Sequence, residues 1–164
     1  MNSRRFDWSL SRFDELDVHT LYDALALRSE VFVVEQNCAY ADIDELDKLP
    51  GSRHLVARCG NTLCAYARSL APSDTHADAR IGRVVVRQSF RRQGLANRLL
   101  SQLIEDLGAR FPHISIRLDA QIEAEGLYVG AGFKRCGDEF LEDGIPHVSM
   151  RREVSAGPST GLPD

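Results

Sequence analysis

The stretch with most chemical content is Val84-Val85-Val86-Arg87-Gln88-Ser89-Phe90-Arg91-Arg92-Gln93-Gly94-Leu95-Ala96, an apolar run that passes through a basic turn into an amphipathic segment. If the run is a strand and the segment a helix, the first N–H groups of that helix lack intrahelical partners. They also carry the positive end of its dipole. Such a turn holds phosphate or pyrophosphate well. Small residues at Gly94 and Ala96 let a ligand approach the backbone, and Arg91 and Arg92 add charge around it. A phosphate-bearing cofactor is the natural tenant. No GxxxxGK[ST] is present, hence no P-loop lysine or magnesium-binding hydroxyl, and no GxGxxG follows a strand to support a dinucleotide fold.

The surrounding pattern supplies the elements that must position this turn. Phe6–Leu10 alternates as a first strand, and Asp17 stands as N-cap to a helix through Leu21, Leu25 and Arg28. That helix runs into Val31–Val34, where branched residues loosen the helical preference, and residues 37–52 read as an acidic loop. His54–Cys59 and Thr62–Arg68 flank Gly60-Asn61 as a tight hairpin, and Arg80–Arg87 is a third run. Leu95, Leu99, Leu100, Leu103, Ile104 and Leu107 form a helical stripe that Gly108 is placed to end. Ile114–Leu118 then reads as a strand, Ala124–Tyr128 as a short helix stopping at Gly130 or Gly132, and Phe133–Leu141 with His147–Arg152 as a last strand pair joined across Gly144-Ile145-Pro146. Strands and helices alternate only in the second half, which predicts a mixed sheet covered by helices rather than a doubly wound parallel one.

A second pattern stands at Leu127-Tyr128-Val129-Gly130-Ala131-Gly132-Phe133, with Gln121 seven residues before Tyr128. Together with Arg91-x-x-Gly94-x-Ala96 after a strand, it resembles the GNAT superfamily of acetyl-CoA-dependent N-acetyltransferases. The motifs of that superfamily are (Arg/Gln)-x-x-Gly-x-(Gly/Ala) and LY-x-x-x-GF. Arg28-Ser29-Glu30-Val31-Phe32-Val33-Val34-Glu35-Gln36, then Tyr40, Asp44, Asp47 and His54, and Glu142-Asp143-Gly144-Ile145-Pro146-His147 are similar to its ElaA branch, over about residues 6–152. The resemblance implies an α+β fold with a mixed, mostly antiparallel sheet of about six to seven strands, splayed at its centre and covered by about four helices. It implies acetyl-CoA as co-substrate, no metal, and direct transfer of the acetyl group to a primary amine of a small molecule or peptide. In that reading Val84, Val85 and Val86 present main-chain groups to the cofactor, with the Val86 amide donating to the acetyl carbonyl. Arg91, Arg92, Gln93, Gly94, Leu95 and Ala96 hold the pyrophosphate in that reading, and Gln121 stands where the family often has Asn beside the pantetheine arm.

Transfer to an amine raises two proton problems. A free alkyl ammonium has a pKa near 10, so roughly one molecule in a thousand is neutral at pH 7 and a base or water must take its proton. The departing thiolate needs a proton back. Tyr128, with a reference pKa of about 10, is the candidate acid, as the matching tyrosine is in many GNAT enzymes. Glu35 is the candidate base, because it follows the apolar Val31–Val34 run, and apolar walls raise a carboxyl pKa. Glu142, Asp143, His54 and His147 are its rivals. A chain that kept the cofactor site as a non-catalytic acyl-CoA sensor or interaction module would carry the same motifs.

Composition narrows the setting. The chain has 164 residues, and 20 Lys plus Arg against 24 Asp plus Glu give a net charge of −4, so no whole-surface attraction to nucleic acid is expected. No apolar run approaches the roughly 18 residues that cross a bilayer, and no signal-like segment follows the N-terminal arginines. Cys38, Cys59, Cys64 and Cys136 have no CxxC or zinc spacing and read as buried or part-buried free thiols in a reducing cytoplasm. Asp42, Asp44 and Asp47 fail as a calcium loop, since positions six and twelve hold Asp47 and Arg53. Acids around the cleft are instead expected to attract a cationic acceptor. Residues 1–153 are expected to form one domain, monomeric or homodimeric, and 154–164 a disordered tail.

Overall fold

The computed structural model describes residues 4–153, so the expected tail at 154–164 lies outside the described residues. Seven strands, β1 (Asp7–Ser11), β2 (Arg53–Cys59), β3 (Thr62–Leu70), β4 (Ala79–Val86), β5 (Ile116–Gln121), β6 (Lys134–Glu142) and β7 (Ile145–Arg152), form one sheet in the order β1-β2-β3-β4-β5-β7-β6. Neighbours are antiparallel except β4 and β5, which run parallel. Three α-helices, α1 (Val18–Arg28), α2 (Leu95–Arg110) and α3 (Glu125–Gly130), pack around it.

Asp17 caps α1 through its carboxylate on the Thr20 N–H at 2.9 Å. The stripe of α2, Leu95, Leu99, Leu100, Leu103 and Leu107, is buried against Leu55, Ile81, Ile116, Leu118 and Met150 on one face of the sheet. On the other face, Ala24, Leu27 and Val31 pack on Val56, Leu63, Tyr66 and Val85. Burial of such leucines contributes about 1.5–3 kcal/mol each. No helix of the described residues is long and apolar enough to cross a membrane.

Several expectations need correction. Of the four helices that the resemblance implies, the fourth is a π-helical segment, Ser29–Glu35, continuing from α1. Its branched valines crowd an ordinary α-turn, and widened turns of this kind recur at functional sites. The second helix does not stop at Gly108; it reaches Arg110, whose guanidinium donates to Asp106 at 2.9 Å across the last turn. β5 starts at Ile116 and extends to Gln121, because β7 pairs with it as far as His147. The β6–β7 turn is Asp143-Gly144, both with positive φ (49° and 78°), so β7 resumes already at Ile145. Cys136 is exposed rather than buried, while Cys38 and Cys64 are buried.

Two departures from ideal pairing create the functional geometry. Between Tyr66 and Arg68 the β3–β4 register shifts, with Arg83 in the left-handed region at φ 53°, which marks a bulge in β4. On its other side β4 pairs β5 only at Ala79↔Ile116 and Arg80↔Arg117, so beyond Arg80 the two strands diverge. The sheet is splayed at its centre.

Candidate active site

The wedge between β4 and β5 leaves main-chain groups without a strand partner. Arg87 N–H donates to the Cys64 carbonyl at 2.8 Å, pointing towards β3. Successive residues of a strand alternate direction, so the amide and carbonyl of Val86 face the wedge. The Val86 carbonyl accepts from Arg91 Nε at 3.0 Å there.

Immediately after β4 the chain makes the cradle. Arg92 and Gly94 both adopt left-handed conformations (φ 61° and 77°), and Gly94 caps α2 with no side-chain bond. The first bond of the helix is Arg98 N–H to the Gly94 carbonyl at 3.1 Å. The amides of Leu95, Ala96 and Asn97 are therefore free of intrahelical partners, and alternating left-handed residues turn neighbouring amides into an anion-binding concavity. A cavity of about 340 Å³ opens over this end, lined by Val84, Val86, Arg91, Gly94, Ala96 and Tyr128 among others.

A second cavity, about 1020 Å³, lies on the other side of the wedge and shares Val84–Val86, Arg91, Ala124 and Tyr128 with the first. Tyr128 thus stands where they meet. Its ring packs edge-on against Phe133 with centroids 6.2 Å apart, and its hydroxyl has no hydrogen-bond partner among the described residues. Burial pushes its pKa up to about 12. The phenol is therefore protonated at neutral pH and is a weaker acid than a free tyrosine.

Glu35 and Gln36, at the end of the π-helical segment, bridge the wedge. Glu35 binds Arg91 Nη2 at 2.7 Å. Gln36 exchanges two amide hydrogen bonds with Gln121, at 3.0 and 3.3 Å. Arg91, named for phosphate, therefore ties the cradle to the acceptor-side wall. The sequence motifs assign Gln36 no role, although it closes the same run as Glu35; Arg83, whose strain makes the bulge, leaves no trace in residue type.

The acidic loop does not present free carboxylates to the cleft. Asp42 and Asp47 hold the buried Arg28 at 2.7 and 2.9 Å, Asp44 and Asp47 hold Arg68 at 2.7 and 2.8 Å, and Arg83 lies 2.9 Å from Asp42. Three acids thus meet three arginines, and the expected attraction of a cationic acceptor by this loop is cancelled. His54 is equally engaged: its Nε2–H donates to the Asp47 carbonyl at 2.9 Å, so Nδ1 accepts from Tyr66 at 2.7 Å. Burial lowers its pKa. His147 differs. Its Nδ1–H donates to the Ile145 carbonyl at 2.7 Å, which leaves Nε2 bare, 3.6 Å from Glu142, and both side chains line the larger cavity.

Comparison with known proteins places this geometry. The acetyltransferase (GNAT) domain family matches residues 20–154. A UPF0039 protein of Schizosaccharomyces pombe is 46% identical over 144 residues, covering 87% of this chain and 93% of that protein. Protein ElaA of Escherichia coli is 38% identical over 148 residues, 90% of this chain and 97% of its own. Its crystal structure matches with a TM-score of 0.85 over 91% of this chain and 100% of that one. An acyl-CoA N-acyltransferase from Pseudomonas aeruginosa matches with a TM-score of 0.85 at 36% identity, over 90% of this chain and 99% of its own. The chain belongs to the GNAT acetyltransferase family.

Proposed function

We propose that this protein is an acetyl-CoA-dependent N-acetyltransferase that acts on a primary amine in a ternary complex. The observation that carries the reading is the juxtaposition of the helix-end cradle with a main-chain amide, Val86, facing an open wedge. The backbone of Arg91–Ala96 would hold the pyrophosphate, and Val84, Val86 and Gln121 the pantetheine arm; Val85, expected beside them, turns its main chain to Tyr66 on β3 and buries its side chain in the core. When bound, the thioester supplies an activated acetyl carbon whose C–S bond breaks as the N–C bond forms.

The residues of the chain handle charge and protons. The Val86 N–H would donate to the carbonyl oxygen as negative charge grows on it, an interaction worth more in a site that excludes water. Tyr128 would give its proton to the leaving sulfur. The amine proton would go to His147 Nε2, with Glu142 alongside to stabilise the imidazolium. Glu35 is the alternative base, but it would first have to release Arg91. An enzyme with this assignment binds coenzyme A in calorimetry and consumes acetyl-CoA with at least one amine of a broad panel, read by free-thiol release. CoA binding without turnover of any amine or peptide would instead favour the non-catalytic acyl-CoA sensor, and absence of CoA binding would overturn both readings.

A further inference from the structure

Arg80, Arg117 and Arg151 are consecutive register partners across β4, β5 and β7, a cross-strand row of three guanidinium groups. Like charges directly opposite one another destabilise a sheet. Arg151 is discharged by Asp78, at 3.0 Å, and Glu153, at 2.6 Å. Arg80 and Arg117 make no ion pair or side-chain hydrogen bond among the described residues, and both line the larger cavity. The Arg80 Nε is shut away from solvent with no partner. Burial and the nearby Arg68 push the Arg80 pKa down, and Asp44 and Asp119 only partly oppose them. The other cavity guanidiniums, Arg68, Arg83 and Arg91, are each already bound to a carboxylate.

Charge reverses along the same wall. Beyond Arg117 on β5 come Asp119 and then Gln121, and Glu123 follows; neither Asp119 nor Glu123 has an arginine or lysine partner among the described residues. The cavity is therefore acidic towards Tyr128 and basic at its far end. Between the two ends Gly82 leaves the floor of β4 open, with nothing within 4 Å of where a Cβ would stand. Arg80 and Val84 stand four positions apart on β4, at most roughly 13 Å at a rise of about 3.3 Å per residue and less because of the bulge at Arg83.

We propose that the acceptor is a primary amine with an oxyanion, carboxylate or phosphate, at its far end, gripped by Arg80 and Arg117 while the amino group lies beside Tyr128. Arginine forks match both oxyanions. The separation of the two ends along β4 suits an ω-amino acid, a short peptide or an aminoalkyl phosphate. This rests on the N-acyltransferase reading above, so the test separates the two. Equilibrium binding of 6-aminohexanoate, 5-aminopentyl phosphate and pentylamine is measured by calorimetry, with and without coenzyme A. At least one of the two anionic amines is expected to bind ten-fold or more tightly than pentylamine, and which one identifies the oxyanion. In Arg80→Gln/Arg117→Gln that preference should shrink to within about two-fold, while coenzyme A binding reports an intact fold; should the double variant not fold, each single variant should lose at least three-fold of the preference. Equal binding of the three probes to the natural protein, or a preference that survives the substitutions, overturns the proposal whether or not any amine is turned over.

Discussion

Tyr128 combines a buried ring with a hydroxyl at the meeting point of two cavities, and burial is the cause of its raised pKa of about 12. A hydroxyl placed to donate to the departing sulfur should affect the chemical step more than ligand binding. Tyr128→Phe is expected to lower kcat ten- to a hundred-fold, with coenzyme A affinity within about two-fold, as steady-state kinetics and calorimetry would measure. Because the phenol stays protonated, Tyr128 should add no basic limb to the rate profile below about pH 11. His147 makes a different prediction. If its bare Nε2 takes the amine proton, His147→Gln loses an order of magnitude or more in kcat/KM near pH 7. The deficit should narrow as the pH approaches about 10, where the amine sheds its own proton; a constant deficit would mean that the imidazole only supports the fold.

At the scale of elements, function rests on three irregularities: the bulge in β4, the left-handed turn before α2 and the π-helical end of α1. The left-handed turn is the most directly testable. Gly94 has φ 77° and nothing within 4 Å of the place a Cβ would take, so an alanine there clashes with nothing and is disfavoured by backbone conformation alone. That costs on the order of 1–2 kcal/mol, or is relieved by rotating the amides out of position. Gly94→Ala should weaken coenzyme A binding about ten-fold while circular dichroism remains native. The π-helical segment sets Glu35 and Gln36 across the wedge, where an α-helical continuation of the same residues would turn them to other directions.

At the scale of the whole molecule, the buried network of Arg28, Arg68 and Arg83 with Asp42, Asp44 and Asp47 joins the acidic loop to the sheet. Asp47 accepts from two buried arginines, so Asp47→Asn leaves them under-compensated and should destabilise the fold by about 3–5 kcal/mol in urea titrations. The network also fixes the pH response. The His54 pKa is lowered by burial, so the unfolded chain takes up a proton at about pH 6.5 that the folded chain refuses, and stability falls below that pH. Burial opposes the charge of Asp44, but Arg68 and then Arg83 hold its carboxyl below the ordinary value, so more stability is lost as the pH falls below about 4. Tyr128, Tyr66 and Tyr40 are all raised by burial, so stability should also fall as the pH rises beyond about 10, where the unfolded phenols ionise first. Thermal midpoints between about pH 3 and 11 should therefore trace a dome.

Local pattern was enough to determine the element order, the α2 stripe, the Gly60-Asn61 hairpin and the two motifs at Arg91–Ala96 and Leu127–Phe133, because periodicity and turn chemistry act over a few neighbouring residues. Element ends were less legible: Gly108 looked like a stop, yet packing of Leu107 and the Arg110–Asp106 pair carry α2 past it. The fate of each charge was not legible at all. Asp42, Asp44 and Asp47 read as free acids until the fold laid Arg28, Arg68 and Arg83 against them, and Glu35 read as a free base until it met Arg91. Whether a charge is spent or available depends on partners tens of residues away, and only the tertiary structure brings those within the few ångströms over which an ion pair forms.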